Sequence, residues 1–365
     1  MTNDAAIERS TEAHSCDGRE RSRHDCLPAV SVLMPLRDGL EHLAACLHSI
    51  RAQSLRDFEL LIIDDGSSDA GPELVRQHCG EDPRIRLLGQ PALGIVAALN
   101  YGLCQARANL IARMDADDIM HPQRLELQHA QMLARPELTL LACRVDAFAD
   151  GELGKGMREY MRWQNACLSE QQLREQIYVE SVFTHPSVMF RRDRILALGG
   201  YRDGEFPEDY ELWLRIAAAG DPMSKLEQVL LRWRQHPQSL SRVDERYART
   251  AFDRLRARYL SADPRLSRSR DLVIWGAGRR TRKRCQKLLD CGRRVDAWID
   301  IDPRKIGQRI AGVPVYDPDW LMPTSPNSPR PFVLVYVANH GAREEISAQL
   351  LAMNYHPGSD YLMVG

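Results

Sequence analysis

Lysine is scarce in this chain. Of its 49 basic residues only five are lysine: Lys155, Lys225, Lys283, Lys287 and Lys305. Positive charge is therefore almost all arginine, a bias that suits phosphate recognition and that a skewed genome also produces. The net charge of −1 leaves no global field to attract nucleic acid, so nucleic acid is not an expected partner. The nine cysteines form no CxxC pair and are odd in number. They read as reduced thiols, which excludes a disulfide framework and a zinc site. No apolar run approaches the ~20 residues of a membrane span. The opening stretch, MTNDAAIERSTEAHSCDGRERSRHD, lacks the apolar core of a secretory signal. It is polar and aperiodic, so residues 1–28 are expected to be disordered and the protein cytoplasmic.

What is present is ordinary globular composition, 44% hydrophobic and 27% charged over 365 residues, enough for two or three domains. AVSVLMPL reads as a buried strand, followed by a helix with Leu40, Leu43, Ala44, Leu47 and Ile50 on one face. DFELLIIDDGSSD is a second strand running into a turn, GPELVRQHC a helix, RIRLLG a strand, GIVAALNYGLCQARA a helix and NLIARM a strand. A helix is predicted from Pro122 to Ala134, then the strand LTLLACRV, a less regular stretch from Asp150 to Glu180, the short strand HPSVMFRR, and helices in PEDYELWLRIAAAG and ARTAFDRLRARYL. This alternation predicts an α/β fold with a mainly parallel, doubly wound sheet. SADPRLSRSRD is a polar linker. Beyond it the alternation restarts as a smaller α/β unit. The expected layout is a first domain over residues 29–260, a linker over 261–270 and an accessory domain over 271–365.

Carboxylates collect at the carboxyl ends of the predicted strands, where open α/β sheets bind ligands. Asp115 and Asp117 stand two residues apart in MDADD, an arrangement able to hold a hard divalent cation, which in turn binds a diphosphate. A solvated acidic turn is the plainer reading of that motif alone. Asp64 and Asp65 end another strand before Gly66, Ser67 and Ser68, whose amides could face a phosphate or ribose. Glu208 and Asp209 open a helix, where the dipole favours carboxylates and where a general base could also sit. His236 lies in a Pro-flanked loop.

In this order SVLMPLRDG, LIIDDGSSD, GIVAALNYGL, IARMDADDIMHPQRLE, THPSVMFRR, GGYRDGEFPEDYELWLR and WRQHPQSLSR resemble family 2 glycosyltransferases over roughly Val30 to Arg242. The resemblance implies the GT-A fold and a nucleotide-sugar donor, a UDP-sugar by expectation. It places Asp65, with Asp64 and Pro35, at the donor base. Arg37-Asp38 stand where the family often has Tyr-Asn. It gives Asp117 and His236 to a Mn²⁺ or Mg²⁺ ion, Asp115 to the donor ribose or that ion, Arg37 with Asp115 and Asp117 to the donor, and Asp209 to the role of base in one inverting displacement. Glu208, Trp213 and His185 are acceptor-site candidates. The implied acceptor is a glycan or lipid-linked hydroxyl, the implied setting envelope polysaccharide assembly.

In the second unit, VIWGAGRRTRK resembles the first turn of a Rossmann-like domain. Gly276 and Gly278 fit GxG, Thr281 replaces the third glycine, and Asp300 stands where a ribose-binding acid would. The preferred reading is an accessory domain without cofactor chemistry. RRTRKR is a solvated face or a contact to phosphate or an anionic membrane surface. Two alternatives to a glycosyltransferase are a non-catalytic nucleotide-sugar-binding regulator and a bifunctional enzyme with an NAD(P)-binding second unit.

Overall fold

A computed structural model describes residues 27–266, 270–322, 330–337 and 341–365; the expected disordered segment lies almost wholly outside them. Eight strands form the first sheet: β1 (Val30–Leu36), β2 (Phe58–Asp64), β3 (Ile85–Gly89), β4 (Leu110–Arg113), β5 (Ile119–Met120), β6 (Leu140–Phe148), β7 (Met189–Arg191) and β8 (Met223–Arg234). Their order is β3-β2-β1-β4-β7-β6-β8-β5. β1 pairs in parallel with β2 and β4, and β6 with β8, while β7 runs antiparallel between β4 and β6. The sheet is thus mainly parallel, as the alternation predicts.

The apolar runs of β1 and β2 follow from burial on both faces. Val32, Met34, Leu60 and Ile62 enter one core, and Leu33, Leu61 and Ile63 enter the other. Apart from the buried Ser31–Glu59 pair near their amino ends, the polar groups of these strands gather at their carboxyl-terminal turns.

β8 is a strand of 12 residues where none was expected, and two further stretches differ from expectation. Asp150–Glu180 is not irregular: it holds the helices Lys155–Ala166 and Glu170–Gln176, the second opened by a Ser169–Gln172 capping box. HPSVMFRR is only partly strand, since His185–Ser187 forms a 3₁₀ turn ahead of β7.

The second sheet contains β9 (Leu272–Trp275), β10 (Ala297–Ile299), β11 (Arg309–Ile310), β12 (Val313–Tyr316), β13 (Phe332–Val335) and β14 (Tyr361–Met363). Its order is β11-β12-β10-β9-β13-β14, parallel except for β11. That is the doubly wound pattern. One hydrophobic cluster runs from the first sheet through Leu255 and Leu260 to Leu288, Leu334 and Tyr336 of the second unit. The expected linker is packed where it is described: Leu266 is buried, and Asp263 accepts a hydrogen bond from Tyr178 at 2.9 Å. Among the described residues no helix is long and apolar enough to cross a membrane.

Candidate active site

Parallel pairing sets the ends of β1 and β2 side by side, with Pro35 opposite Ile63 and Leu36 opposite Asp64. The chain then turns on Gly66, whose φ of +73° favours glycine and where a Cβ would lie 3.0 Å from the Ala92 amide. Asp64 accepts from the Ser67 amide at 2.9 Å. Asp65 is buried and heavily engaged. It accepts from Gln90 Nε2 (2.7 Å), the Leu93 amide (2.8 Å) and the Gly94 amide (3.0 Å), and Arg37 lies 3.5 Å away. Asp38 accepts from the Ser68 amide and hydroxyl, and the Ser68 amide above all holds its carboxyl below the usual range. Asp38 thereby ties the turn after β1 to the turn after β2 and leaves Arg37 exposed above Asp65.

β4 ends at Arg113, which is buried. The next residues bring one carboxylate oxygen each from Asp115, Asp117 and Asp118 within 4.8 Å of one another. Pairing of β5 with β8 fixes the far side of this turn: Ile119 stands opposite Arg232, and the chain continues to Arg234 and His236. The Arg234 amide donates to Asp118 Oδ1 at 2.8 Å, and His236 Nε2 lies 2.9 Å from Asp117 Oδ2. The His42 ring meets the His236 ring edge-on at 5.6 Å. Arg113 forms an ion pair with Asp115. Burial, opposed by Arg113 and reinforced by Asp117, pushes Asp115 up to about 6. Burial, then Asp117 and Asp115, also push Asp118 well above the usual carboxylate range.

This donor set fits a hard divalent cation. Asp118 Oδ2 is buried without a hydrogen-bond partner, a costly arrangement unless something else satisfies it. Three carboxylates and an imidazole converge there, the oxygen-rich chemistry that Mn²⁺ or Mg²⁺ takes.

The third group comes from the Glu208–Ala218 helix, which follows Pro207. Glu208 is buried and accepts from the Tyr247 hydroxyl at 2.7 and 2.9 Å. His185 Nδ1 lies 3.7 Å from Glu208, and its Nε2 lies 2.8 Å from the Tyr201 hydroxyl. Burial, then the nearby Arg113, lower the His185 pKa well below the ordinary value, so the ring is neutral. Asp209 is half-buried. Burial and then the Glu208 charge push it up to about 7, against the pull of Arg113. Trp213, expected at the acceptor site, is fully buried, edge-on to Phe183 and His185. It supports His185 and has no surface to offer a ligand.

The structure therefore gathers Arg37, Asp64, Asp65, Asp115, Asp117, His236, Glu208 and Asp209 along one sheet edge and places Trp213 behind it. Gly276, Gly278 and Asp300 lie in the other sheet, after β9 and β10. Gly276 has a φ of +110°. Asp300 accepts from the Ala277 amide (2.8 Å), the Asp302 amide (2.9 Å) and Lys305 Nζ (3.0 Å).

Four residues of this edge escape sequence reasoning: Arg113, Asp118, Arg234 and Tyr247. Asp118 was visible in MDADD as a third carboxylate. Arg113 also carried a signal, a charged residue ending an apolar strand. Tyr247 carried none.

The family model for glycosyl transferase family 2 matches residues 31–197. An amylovoran biosynthesis glycosyltransferase from Erwinia amylovora is 33% identical over 207 residues, 56% of this chain and 75% of that protein. An O-antigen biosynthesis glycosyltransferase from Escherichia coli is 30% identical over 233 residues, 63% of this chain and 89% of that protein. A UDP-Gal:α-D-GlcNAc-diphosphoundecaprenol β-1,3-galactosyltransferase, also from Escherichia coli, is 30% identical over 210 residues, 57% of this chain and 74% of that one. Among solved structures, a mannosyltransferase from Pyrobaculum calidifontis in complex with GDP-Man and Mn²⁺ matches with a TM-score of 0.46 at 20% identity, over 64% of this chain and 62% of that one.

Proposed function

The chain belongs to glycosyl transferase family 2, and we propose that this glycosyltransferase moves a sugar from a UDP-sugar to an acceptor hydroxyl with inversion, using a divalent cation. The observation that carries the reading is the meeting, on one sheet edge, of a carboxylate cluster with a buried unpartnered oxygen at Asp118 and a second carboxylate, Asp209, set beside the buried Glu208 at the start of the Glu208–Ala218 helix.

Asp115, Asp117 and Asp118 would hold the cation, with His236 beside Asp117. When bound, it supplies charge stabilisation to the departing nucleoside diphosphate. Arg37, Asp64, Asp65 and Pro35 hold the nucleoside. Asp209 accepts the proton of the acceptor hydroxyl as that oxygen bonds to the anomeric carbon. The bond from that carbon to the diphosphate breaks, and its electron pair leaves with the phosphate oxygen. A single displacement inverts the centre and needs no enzyme nucleophile. A base near 7 suits neutral pH, where it is substantially ionised yet still basic. Burial and then the Glu208 charge keep Asp209 basic, and Tyr247 holds Glu208 in place.

The names of the amylovoran, O-antigen and diphosphoundecaprenol relatives support a glycan or lipid-linked acceptor in envelope polysaccharide synthesis. The exposed Arg279, Arg280 and Arg282 of the second unit would serve peripheral contact with the cytoplasmic face of an anionic membrane.

The test is nucleoside diphosphate release from a panel of UDP-, GDP- and dTDP-sugars with Mn²⁺, Mg²⁺ or EDTA. Metal-dependent release from a UDP-sugar, lost in Asp209→Asn, is expected. Release that survives EDTA, or that persists in Asp209→Asn, would sink the reading.

A further inference from the structure

Arginine collects where the second unit meets the first. In the helix Arg249–Ser261, Arg249, Asp253 and Arg256 are spaced to share one face. The helix Arg279–Asp290 packs on it, with Cys285 and Leu288 in one cluster with Leu255 and Leu260. It brings Arg284 to the same carboxylate: Arg256 Nη1 lies 2.7 Å and Arg284 Nη2 3.1 Å from Asp253 Oδ1. A third guanidinium, Arg343, comes from the start of the helix Ala342–Ala352. Its Nε donates to the Val337 carbonyl, just past β13, at 3.2 Å.

These charges are not balanced from within. One carboxylate oxygen serves two guanidiniums, and Glu180, partly in solvent, stays 4.0 Å from Arg256. Nε of Arg256 and Nη1 of Arg284 are buried without a hydrogen-bond partner, and the Arg256 side chain is only 4% exposed. Burial, then Arg284 and Arg256, push Arg343 down to about 10, against the pull of Glu180 and Glu344. Buried donors in this state are unfavourable unless an acceptor reaches them.

A cavity of about 850 Å³ reaches this cluster, lined by Arg249, Arg343 and Glu180 and by the rings of Tyr160 and Trp163. It lies between the helix Lys155–Ala166 of the first unit and the helix Ala342–Ala352 of the second. It is also placed where an open α/β sheet binds ligands: the strand order reverses at β9, beside β13, and Arg343 is tied to the carboxyl end of β13. Guanidiniums only donate, and their planar fork matches an oxyanion. A metal ion is repelled, and a neutral sugar leaves the charge standing. A carboxylate brings one charge, whereas a phosphate brings nearly two and three acceptor oxygens. Of the acids in the wall, Glu159 pairs with Arg162 and Glu175 accepts from Gln171, so their lone pairs are engaged away from the arginines.

We infer that the cavity between the two units is a phosphate-binding site, held by Arg343 and Arg249 with the Arg256–Asp253–Arg284 group behind them. Because Arg249 and Arg256 belong to the first unit and Arg284 and Arg343 to the second, a bound phosphate clamps the units together. The site shares no residue with the candidate active site and does not rest on the function proposed for it.

Calorimetry and thermal unfolding of the full chain test it, at pH 8 and constant ionic strength, with EDTA present and inorganic phosphate, phenyl phosphate and malonate as probes. Both phosphates are expected to bind and to raise the Tm, and malonate to bind more weakly. Affinity for phosphate should fall by about tenfold or more in Arg343→Gln, which removes charged donors. Arg249→Ser, at an exposed position, should weaken binding without disturbing the core. Without phosphate, Arg343→Gln should melt no earlier than the wild type, since it relieves repulsion from Arg284 and Arg256; with saturating phosphate the wild type should melt later. Tighter binding of phenyl phosphate than of inorganic phosphate would assign the site to a phosphomonoester whose ring meets Tyr160 and Trp163, and equal binding to the free ion. A wild type that binds neither phosphate overturns the inference. So does phosphate binding undiminished in either variant, or malonate bound as tightly as phosphate. An Arg343→Gln protein that melts earlier without phosphate would mark Arg343 as a structural tie and overturn it too.

Discussion

The turn after β4 and the turn after β10 carry similar lettering. Each places aspartates two residues apart at the carboxyl end of a parallel strand, Asp115 and Asp117 in one and Asp300 and Asp302 in the other. They differ in where their lone pairs go. Asp300 is saturated by its own module. Burial works to raise its pKa, but the Asp302 amide, Lys305 and the Ala277 amide outweigh it and hold the group ionised. The Ala277 amide, one of the groups a Rossmann turn would aim at a pyrophosphate, is spent on that carboxylate. At the β4 turn the balance is reversed. Asp118 keeps a buried oxygen with no partner, and burial pushes Asp115 and Asp118 upward. A carboxylate cluster satisfied from within is a structural clasp, whereas one left short of positive charge is a place for a ligand.

The sharpest way to break this comparison is to remove the proposed base. Asp209→Asn should lower transfer by about 10²–10⁴-fold, the usual worth of a positioned proton acceptor. Donor binding, followed by calorimetry with UDP and Mn²⁺, should be nearly unchanged. A variant with more than a tenth of wild-type turnover would place the base elsewhere.

Next in size is Arg113, the buried cation beneath the acidic edge. Arg113→Met leaves Asp115 without its ion-pair partner and removes the charge that opposes the rise of Asp209. Breaking one side of a buried pair costs about 3–5 kcal/mol. Urea unfolding at pH 7 should report a loss of that order. The loss should shrink at pH 5, where the stranded carboxylates can protonate. An equal loss at both pH values would mean that Arg113 acts through packing alone.

Arg113 also shows how much of the site was legible in the sequence. The strands β1, β2 and β4 were plain because burial on both faces turns them into continuous apolar runs, and their carboxyl ends located the acidic turns. Partners across long separations were not legible. Asp117 and His236 meet across 119 residues, and only the family resemblance placed the histidine there. Nothing local to Tyr247 points to Glu208. The helix Lys155–Ala166 was missed because it buries only Met161 and Gln164, too narrow a stripe to stand out as a period. The long β8 was missed because its alternation fails at Glu227–Val229, where the pairing with β6 shifts register and the chain is exposed.

A smaller effect should appear in the pH profile. With Asp209 at about 7, release of nucleoside diphosphate should rise with pH up to about 7 and then level, since the base works only when ionised. Glu208→Gln removes the charge that, after burial, raises Asp209 most, so the acid limb should move to lower pH. Stability has the opposite sign. The folded pKa lies above the ordinary aspartate value of about 3.9, so between those two values the native state holds a proton that the unfolded chain has lost. Asp209 therefore lowers the stability of the metal-free protein as pH rises from about 4 to about 7. Asp209→Asn should flatten that slope in thermal unfolding. An acid limb that stays in place in Glu208→Gln would separate the two carboxylates.

The smallest effect belongs to the other turn. Asp300→Asn keeps the size of the side chain and removes the charge that Lys305 and two amides share. Charge-assisted bonds of this kind contribute about 1.5–3 kcal/mol, and Lys305, being partly exposed, recovers part of its loss by solvation. The second unit should therefore melt earlier by about 1–2 kcal/mol, while sugar transfer at 25 °C and titration with NAD(P)H both stay flat. Because the folded pKa of Asp300 is depressed, its contribution is present above the unfolded pKa and fades as pH falls through the folded one, so the wild type and the variant should converge in acid. An NAD(P)H signal in the wild type that vanished in Asp300→Asn would mean that the clasp opens to a cofactor, and the contrast between the two turns would then be one of affinity rather than of kind.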